Sequence, residues 1–328
     1  MFLALREIAT ARGRFALIGG VVGLITLLLV MLSGLTQGLS KQNTSALEAL
    51  AQKTPNVTFS TADPSFTESE IHDADVPAGA LPLGTSQTKM SGAGGVAVLG
   101  LPAGTPIPGS STRIPEGGMV LSQSLHSDRV AAELGGQELA IRGVVPDLHY
   151  SHSPVVWVST QTWQAVTHAP ADVVGTAVLS AEPTASSVPM NKALTGLPAY
   201  SSERGSLLTM QAFLYGISAL VTIAFLSIWT IQRTRDLSIL RALGASVRYL
   251  LRDALSQAAI ILAAGVGLGA LVGWGLGLAA QSAVPFEVSA MTVLVPALGI
   301  WVLGILGAFI ATRRVASVNP LDALGGNA

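Results

Sequence analysis

The chain has no cysteine. That absence excludes disulfides, thiolate metal sites and thiol nucleophiles at once. It says nothing firm about compartment. Charge is also scarce: 11% of the 328 residues are Asp, Glu, Lys or Arg, against about 25% in an average soluble domain. Half of the residues are hydrophobic, so the composition is that of a membrane protein. No G-x-x-x-x-G-K-[ST] segment occurs, and the chain therefore cannot cradle nucleotide phosphates in a P-loop. H-E-x-x-H and G-x-S-x-G are missing as well. No internal repeat is visible, which argues against an inverted-repeat secondary transporter. Charged groups are nearly absent from the apolar runs, which argues against a proton relay.

What is present is four apolar runs, each long enough to cross ~30 Å of hydrocarbon as a helix. They predict spans over residues 15–37, 207–232, 253–282 and 290–312. The first is too long for a signal-peptide core of ~7–15 residues, and no Ala-x-Ala site follows it, so it reads as an uncleaved span. Before it, residues 1–14 form a basic amphipathic segment, with Phe2, Leu5 and Ile8 suited to the membrane surface. Residues 38–206 are different in kind: polar, Pro- and Gly-rich, and without a spanning run. Strands are expected near Val96–Leu101, Gly118–Ser122, Glu138–Val145 and Val155–Val158. Short helices are expected over Asp128–Leu134 and Thr162–Val166. The Pro- and Gly-rich stretch Pro102–Pro115 should be a loop. The fold class is thus membrane α-helical, four transmembrane helices with one α/β domain between the first and second.

Charge assigns sides. Residues 1–14, the 233–252 segment and the 313–328 tail carry ten basic residues, and only Glu7, Asp236 and Asp322 oppose them there, with Asp253 one residue beyond the segment. The 38–206 domain has eight basic and fourteen acidic residues. Basic segments stay cytoplasmic, so both termini and residues 233–252 should lie inside and the large domain outside a cell (plasma) membrane. The third span places Gly265, Gly269, Gly273 and Gly277 four apart. Gly19 and Gly23 stand in the same relation in the first span. Such a seam permits close backbone approach, here favoured within one subunit.

The segment Gln232–Ser246, QRTRDLSILRALGAS, sits between two spans. Leu240, Leu243, Val247 and Leu250 recur at helical spacing, while Arg241 and Arg248 fall on another side. Gly244 interrupts the pattern, and Ser246 is an N-cap candidate for a second short helix. On charge alone this is a topology-setting connector. The stretch also resembles the signature of the MacB/FtsX-like permeases, membrane subunits of one class of ABC transporter, with Asp236 where that family usually has Glu. The tail Ala316-Ser317-Val318-Asn319-Pro320-Leu321-Asp322-Ala323-Leu324 is similar to the family's C-terminal pattern. The resemblance implies a homodimer in membrane lipid carrying two copies of a separate ABC ATPase, contacted through Leu240, Arg241, Leu243, Val247 and Arg248.

At the start of the second span, Glu203, Leu207, Met210 and Leu214 share one helical face, with Arg204 beside them. A carboxylate above a thioether at the membrane edge suits a flat apolar ligand with a metal centre; the plain alternative is a solvated helix start over packing residues. SGLTQGLSKQNTSALEAL at residues 33–50 and Leu207–Tyr215 resemble the haem-exporter permeases of the HrtB type. That resemblance implies haem as substrate, bound through Glu203, Met210, Arg204 and Leu207, with no permanently bound cofactor. Exporters of lipids, lipoproteins or peptides on the same scaffold remain open, as does an FtsX-like transmitter that activates a cell-wall hydrolase. All five histidines lie in the 38–206 domain. His149 and His152 are the one close pair, weak as a metal site without a third ligand, so no metal is expected.

Overall fold

The computed structural model describes residues 12–232, 239 and 243–312. Among the described residues four helices are long and apolar enough to cross a membrane: α1 (Arg12–Ala51), α4 (Pro198–Gln232), α5 (Val247–Ala280) and α6 (Ala290–Thr312). Two short helices, α2 (Thr160–Thr167) and α3 (Met190–Ala193), lie in the segment between α1 and α4. The protein is a multi-pass membrane protein. The chain divides into two compact units, one formed by residues up to Gly38 and from Ser206 onward, the other by Leu39–Gly205.

In the helical unit, small residues set the packing. Val22, Ile25 and Leu29 of α1 form a core with Leu262 and Val266 of α5 and with Ala297 and Ile300 of α6. A second group joins Leu226 of α4, Ala258 of α5, and Ala308 and Ala311 of α6. The expected glycine seam is where α1 crosses α5. A Cβ on Gly23 would stand 2.9 Å from the Gly265 carbonyl oxygen, and one on Gly269 would run into the Gly23 carbonyl. Without side chains between them the two backbones approach closely, the arrangement that substitutes for a hydrophobic driving force inside lipid. Further along α5, Gly273 faces Val30, and Gly277 faces Phe286.

The connector between α5 and α6 explains a stretch read above only by resemblance. Phe286 lies against Gly34, and the Pro285 carbonyl lies against Gly38, each filling the space a Cβ would need. The Glu287 N–H donates to the Gly34 carbonyl at 3.0 Å. Gln211 Nε2 of α4 donates to Thr36 Oγ1 at 3.1 Å. The two glycines of SGLTQGL thus admit this connector.

The other unit is built on a ten-stranded sheet in the order β12 (Val188–Pro189), β1 (Asn56–Thr58), β11 (Ala177–Ser180), β3 (Leu81–Met90), β4 (Gly94–Leu101), β9 (Ser153–Ser159), β5 (Met119–Ser122), β7 (Gln137–Val145) and β6 (Ala131–Leu134), with β8 (His149–Tyr150) paired to β9, while β2 (Ile71–His72) and β10 (Val173–Gly175) form a separate pair. Strands β4 (Gly94–Leu101) and β9 (Ser153–Ser159) are parallel, as are β5 (Met119–Ser122) and β7 (Gln137–Val145); the other pairings in this sheet are antiparallel. The end strand β6 (Ala131–Leu134) returns to β3 (Leu81–Met90), pairing Leu134 with Met90. Six strands therefore close on themselves, which removes the exposed edge that an open sheet would leave. The central strands are buried on both faces. Val96 and Val98 of β4 join Val156 and Val158 of β9 in one core. The alternating Ala97, Leu99 and Leu101 join Val155, Trp157 and, from α1, Ala46, Leu47 and Leu50 in the other.

The expected strands all form, and so does the helix around Thr162–Val166. Pro102–Pro115 holds no named strand and a single bridge, Pro106 to Arg113. The helix expected over Asp128–Leu134 does not form: Ala131–Leu134 is strand β6. Ala, Glu and Leu favour helix locally, but Gly135 and Gly136 both take positive φ, 56° and 84°. They make a two-residue turn that folds β6 against β7, with Leu134 opposite Gln137.

Candidate functional site

Helix α4 carries Glu203, Arg204, Leu207 and Met210 on continuous helical backbone. Its 35 residues span roughly 50 Å at 1.5 Å each, well beyond the hydrocarbon thickness, so its first turns need not lie in the apolar layer. Arg204 is exposed; its Nη1 donates to the Tyr200 hydroxyl at 3.1 Å, and its guanidinium lies 5.7 Å from that ring's centroid. Leu207 is half-buried and Met210 exposed. The boundary between the compact units falls within this helix, after Gly205.

Glu203 is half-buried and engaged from two other elements. His152 Nε2 lies 2.8 Å from Oε1 and 3.0 Å from Oε2. Asn43 Nδ2, from α1, donates to Oε2 at 3.1 Å and to the Leu39 carbonyl at 3.3 Å. Asn43 is fully buried. A carboxylate is acceptor-only, so the imidazole nitrogen that faces it carries the proton. Asn43 is the asparagine of the run that leaves the first span, and His152 is half of the histidine pair considered above for a metal. Among the described residues no three His, Cys, Asp or Glu side chains cluster in a way that would hold a metal ion.

His152 reaches Glu203 from an unusual turn. Strand β8 (His149–Tyr150) and β9 form a hairpin in which Tyr150 opposes Ser153. The two residues between, Ser151 and His152, have φ of 48° and 64°. Two-residue hairpins of this hand ordinarily use Asn-Gly or Gly-Gly, because both central residues are left-handed. A non-glycine residue held there costs of order 1–3 kcal/mol. The turn is tied to α1: Ser151 N–H donates to the Asn43 carbonyl at 3.0 Å and His152 N–H to the Gln42 carbonyl at 2.9 Å. The His149 N–H donates to Ser45 Oγ at 2.8 Å. Burial holds the His149 pKa below its usual 6.5; Asp147 opposes that shift, and the nearby His152 adds to it.

The second expected site lies between α4 and α5. Leu240 and Arg241 are outside the described residues. Leu243 is 79% exposed, Val247 half-buried and Arg248 exposed. The interruption expected at Gly244 and the cap expected at Ser246 both form. Gly244 takes φ 97°, which breaks the backbone. Ser246 then caps a new helix by accepting from the Tyr249 N–H at 3.2 Å. That helix is no short piece but the start of the 34-residue α5.

The four apolar helices, with a mixed-sheet domain between the first two in sequence, are the architecture of a multi-pass membrane protein. Residues 208–320 match the family described as FtsX-like permease C-terminal. Over 99% of both chains the sequence is 25% identical to the hemin transport system permease protein HrtB of Staphylococcus haemolyticus. Over the same share it is 21% identical to the protein of that name from Staphylococcus epidermidis strain ATCC 12228.

Proposed function

We propose that this chain is the permease subunit of an ATP-driven haem-efflux ABC transporter. The observation that carries the reading is end-to-end similarity to proteins named for hemin transport. The chemistry of α4 agrees with it. Haem is flat and apolar, so it partitions into the bilayer, and its propionates prefer the headgroup level. Glu203 offers an oxygen ligand and Met210 a thioether, both chemically suited to haem iron. Arg204 offers a guanidinium for a propionate, and Leu207 an apolar contact. Haem is the substrate, and no cofactor is bound permanently. Two copies of the chain act together in the membrane with two copies of a separate ATPase. The ATPase docks on the segment that includes Leu240, Arg241, Leu243, Val247 and Arg248. Both termini and that segment are cytoplasmic, and residues 38–206 are outside.

The test is haem titration of the purified chain in detergent. Glu203→Gln keeps the shape of the side chain and a hydrogen-bonding head but removes the anionic ligand. It should shift the Soret band of bound haem and weaken binding by about tenfold or more, the scale of a lost interaction to a charged group. Met210→Leu should act in the same direction and less strongly. Wild-type protein that binds no haem, or variants with wild-type spectra and affinity, would remove the site. The FtsX-like family match favours one second reading, a transmitter that activates a cell-wall hydrolase. A hydrolase bound to residues 38–206, with no haem binding, would select it.

A further inference from the structure

We propose that His152 is a positioning residue that competes with the substrate for Glu203: it holds the carboxylate while the site is empty and must yield it when haem binds. The inference rests on the haem-site reading above and adds the means by which that site stays loosely occupied without its ligand.

The geometry makes His152 a resident partner rather than a chance neighbour. Its Nε2 lies within 3.0 Å of both carboxylate oxygens. Both oxygens therefore face the imidazole, and Oε2 also faces Asn43. A metal centre approaching Glu203 meets a carboxylate that already has partners, so binding is an exchange and not a simple addition. Exchange is favourable only if the resident arrangement is less than ideal, and three observations say that it is. Both hydrogens of Asn43 Nδ2 are already directed to Glu203 and Leu39. The His152 Nε2 nevertheless stands 3.0 Å from that same nitrogen, which sets two donors against each other. The Asn43 Oδ1 is buried and has no hydrogen-bond partner, a state that carries the full desolvation penalty of the group. And His152 sits in a left-handed turn, a conformation that glycine adopts with less strain than any other residue. The carboxylate is held, but by a cluster with internal conflict.

The same turn supplies a clean experiment. Glycine is the residue that the second turn position prefers, so His152→Gly deletes the imidazole while relieving the backbone. Ferric haem is titrated into the purified full chain, wild type and His152→Gly, and followed at the Soret band. Removing the competitor should tighten binding on the order of tenfold, the value of one hydrogen bond to a charged group, and slow haem transfer to an apo-globin acceptor to match. The Soret position should stay that of the wild type, since Glu203 still ligates. In a Glu203→Gln background the same substitution should give no gain, because no carboxylate remains to be freed. Wild-type binding that is weakened or unchanged by His152→Gly overturns this inference and leaves the haem site standing. An equal gain in both backgrounds overturns it too, since the effect would then not run through Glu203. A wild-type chain that binds no haem removes the site and this inference together.

Discussion

At the scale of single residues, Glu203 is legible from sequence and its partners are not. A carboxylate seven residues before a methionine, at the start of an apolar helix, is visible in the chain itself. Asn43 and His152 stand 160 and 51 residues away in sequence, and only the fold brings them to it. The histidine pair was visible too, but as a weak metal motif. Its hairpin was hidden because Ser151-His152 lacks the glycine that normally announces such a turn. His149 gives a prediction at this scale. Burial lowers its folded pKa below 6.5, so between 6.5 and that lower value the unfolded chain binds more protons than the folded one. Stability then rises with pH across the window and is lost as acid is added. Thermal unfolding of the full chain in detergent should show a drop in Tm from about pH 7.5 to about pH 5.5, and His149→Asn should remove part of that drop. An identical drop in the variant would show that His149 does not contribute.

At the scale of elements, length and periodicity served well where the environment was uniform. The four spans are visible as apolar runs because lipid requires them to be. Their extents are another matter. Helix α1 runs 40 residues to Ala51 and α4 begins at Pro198, since α1 continues as polar helix after its apolar run and α4 starts as polar helix before its own. In the sheet domain, local propensity misled at Asp128–Leu134 because the pairing of β6 with β7 and β3 outweighs a helix of a few residues. The glycine seam is the element-level feature with the sharpest consequence. Gly269→Leu would force a side chain into the Gly23 carbonyl, and overpacking of this kind costs about 1–3 kcal/mol or more. Gly275 is the control, because a Cβ there meets nothing within 4 Å. Thermal stability in detergent should fall for Gly269→Leu and hold for Gly275→Leu. Equal behaviour of the two would mean that the α1–α5 crossing is not tight.

At the scale of the whole molecule, charge asymmetry predicts sides that no fold can state by itself, because no membrane is part of it. Cysteine labelling is direct in a chain without cysteine. Ser127 is exposed in the sheet domain and Tyr249 at the start of α5, so Ser127→Cys should react with an impermeant reagent on intact cells and Tyr249→Cys should not; the reverse would invert the topology. What the sequence does not disclose at this scale is the closure of the sheet. The β3–β6 pairing joins segments whose contact depends on every strand between them.

As proposed above, this permease moves haem by means of a separate ATPase. The most direct measurement is ATP hydrolysis by the chain, co-purified with its ATPase and reconstituted in liposomes, with and without ferric haem. Haem should stimulate hydrolysis, added lipid or peptide should not, and Leu243→Asp in the exposed connector should abolish the stimulation while the chain stays folded and inserted. Stimulation by peptide or lipid with none by haem would contradict the proposal.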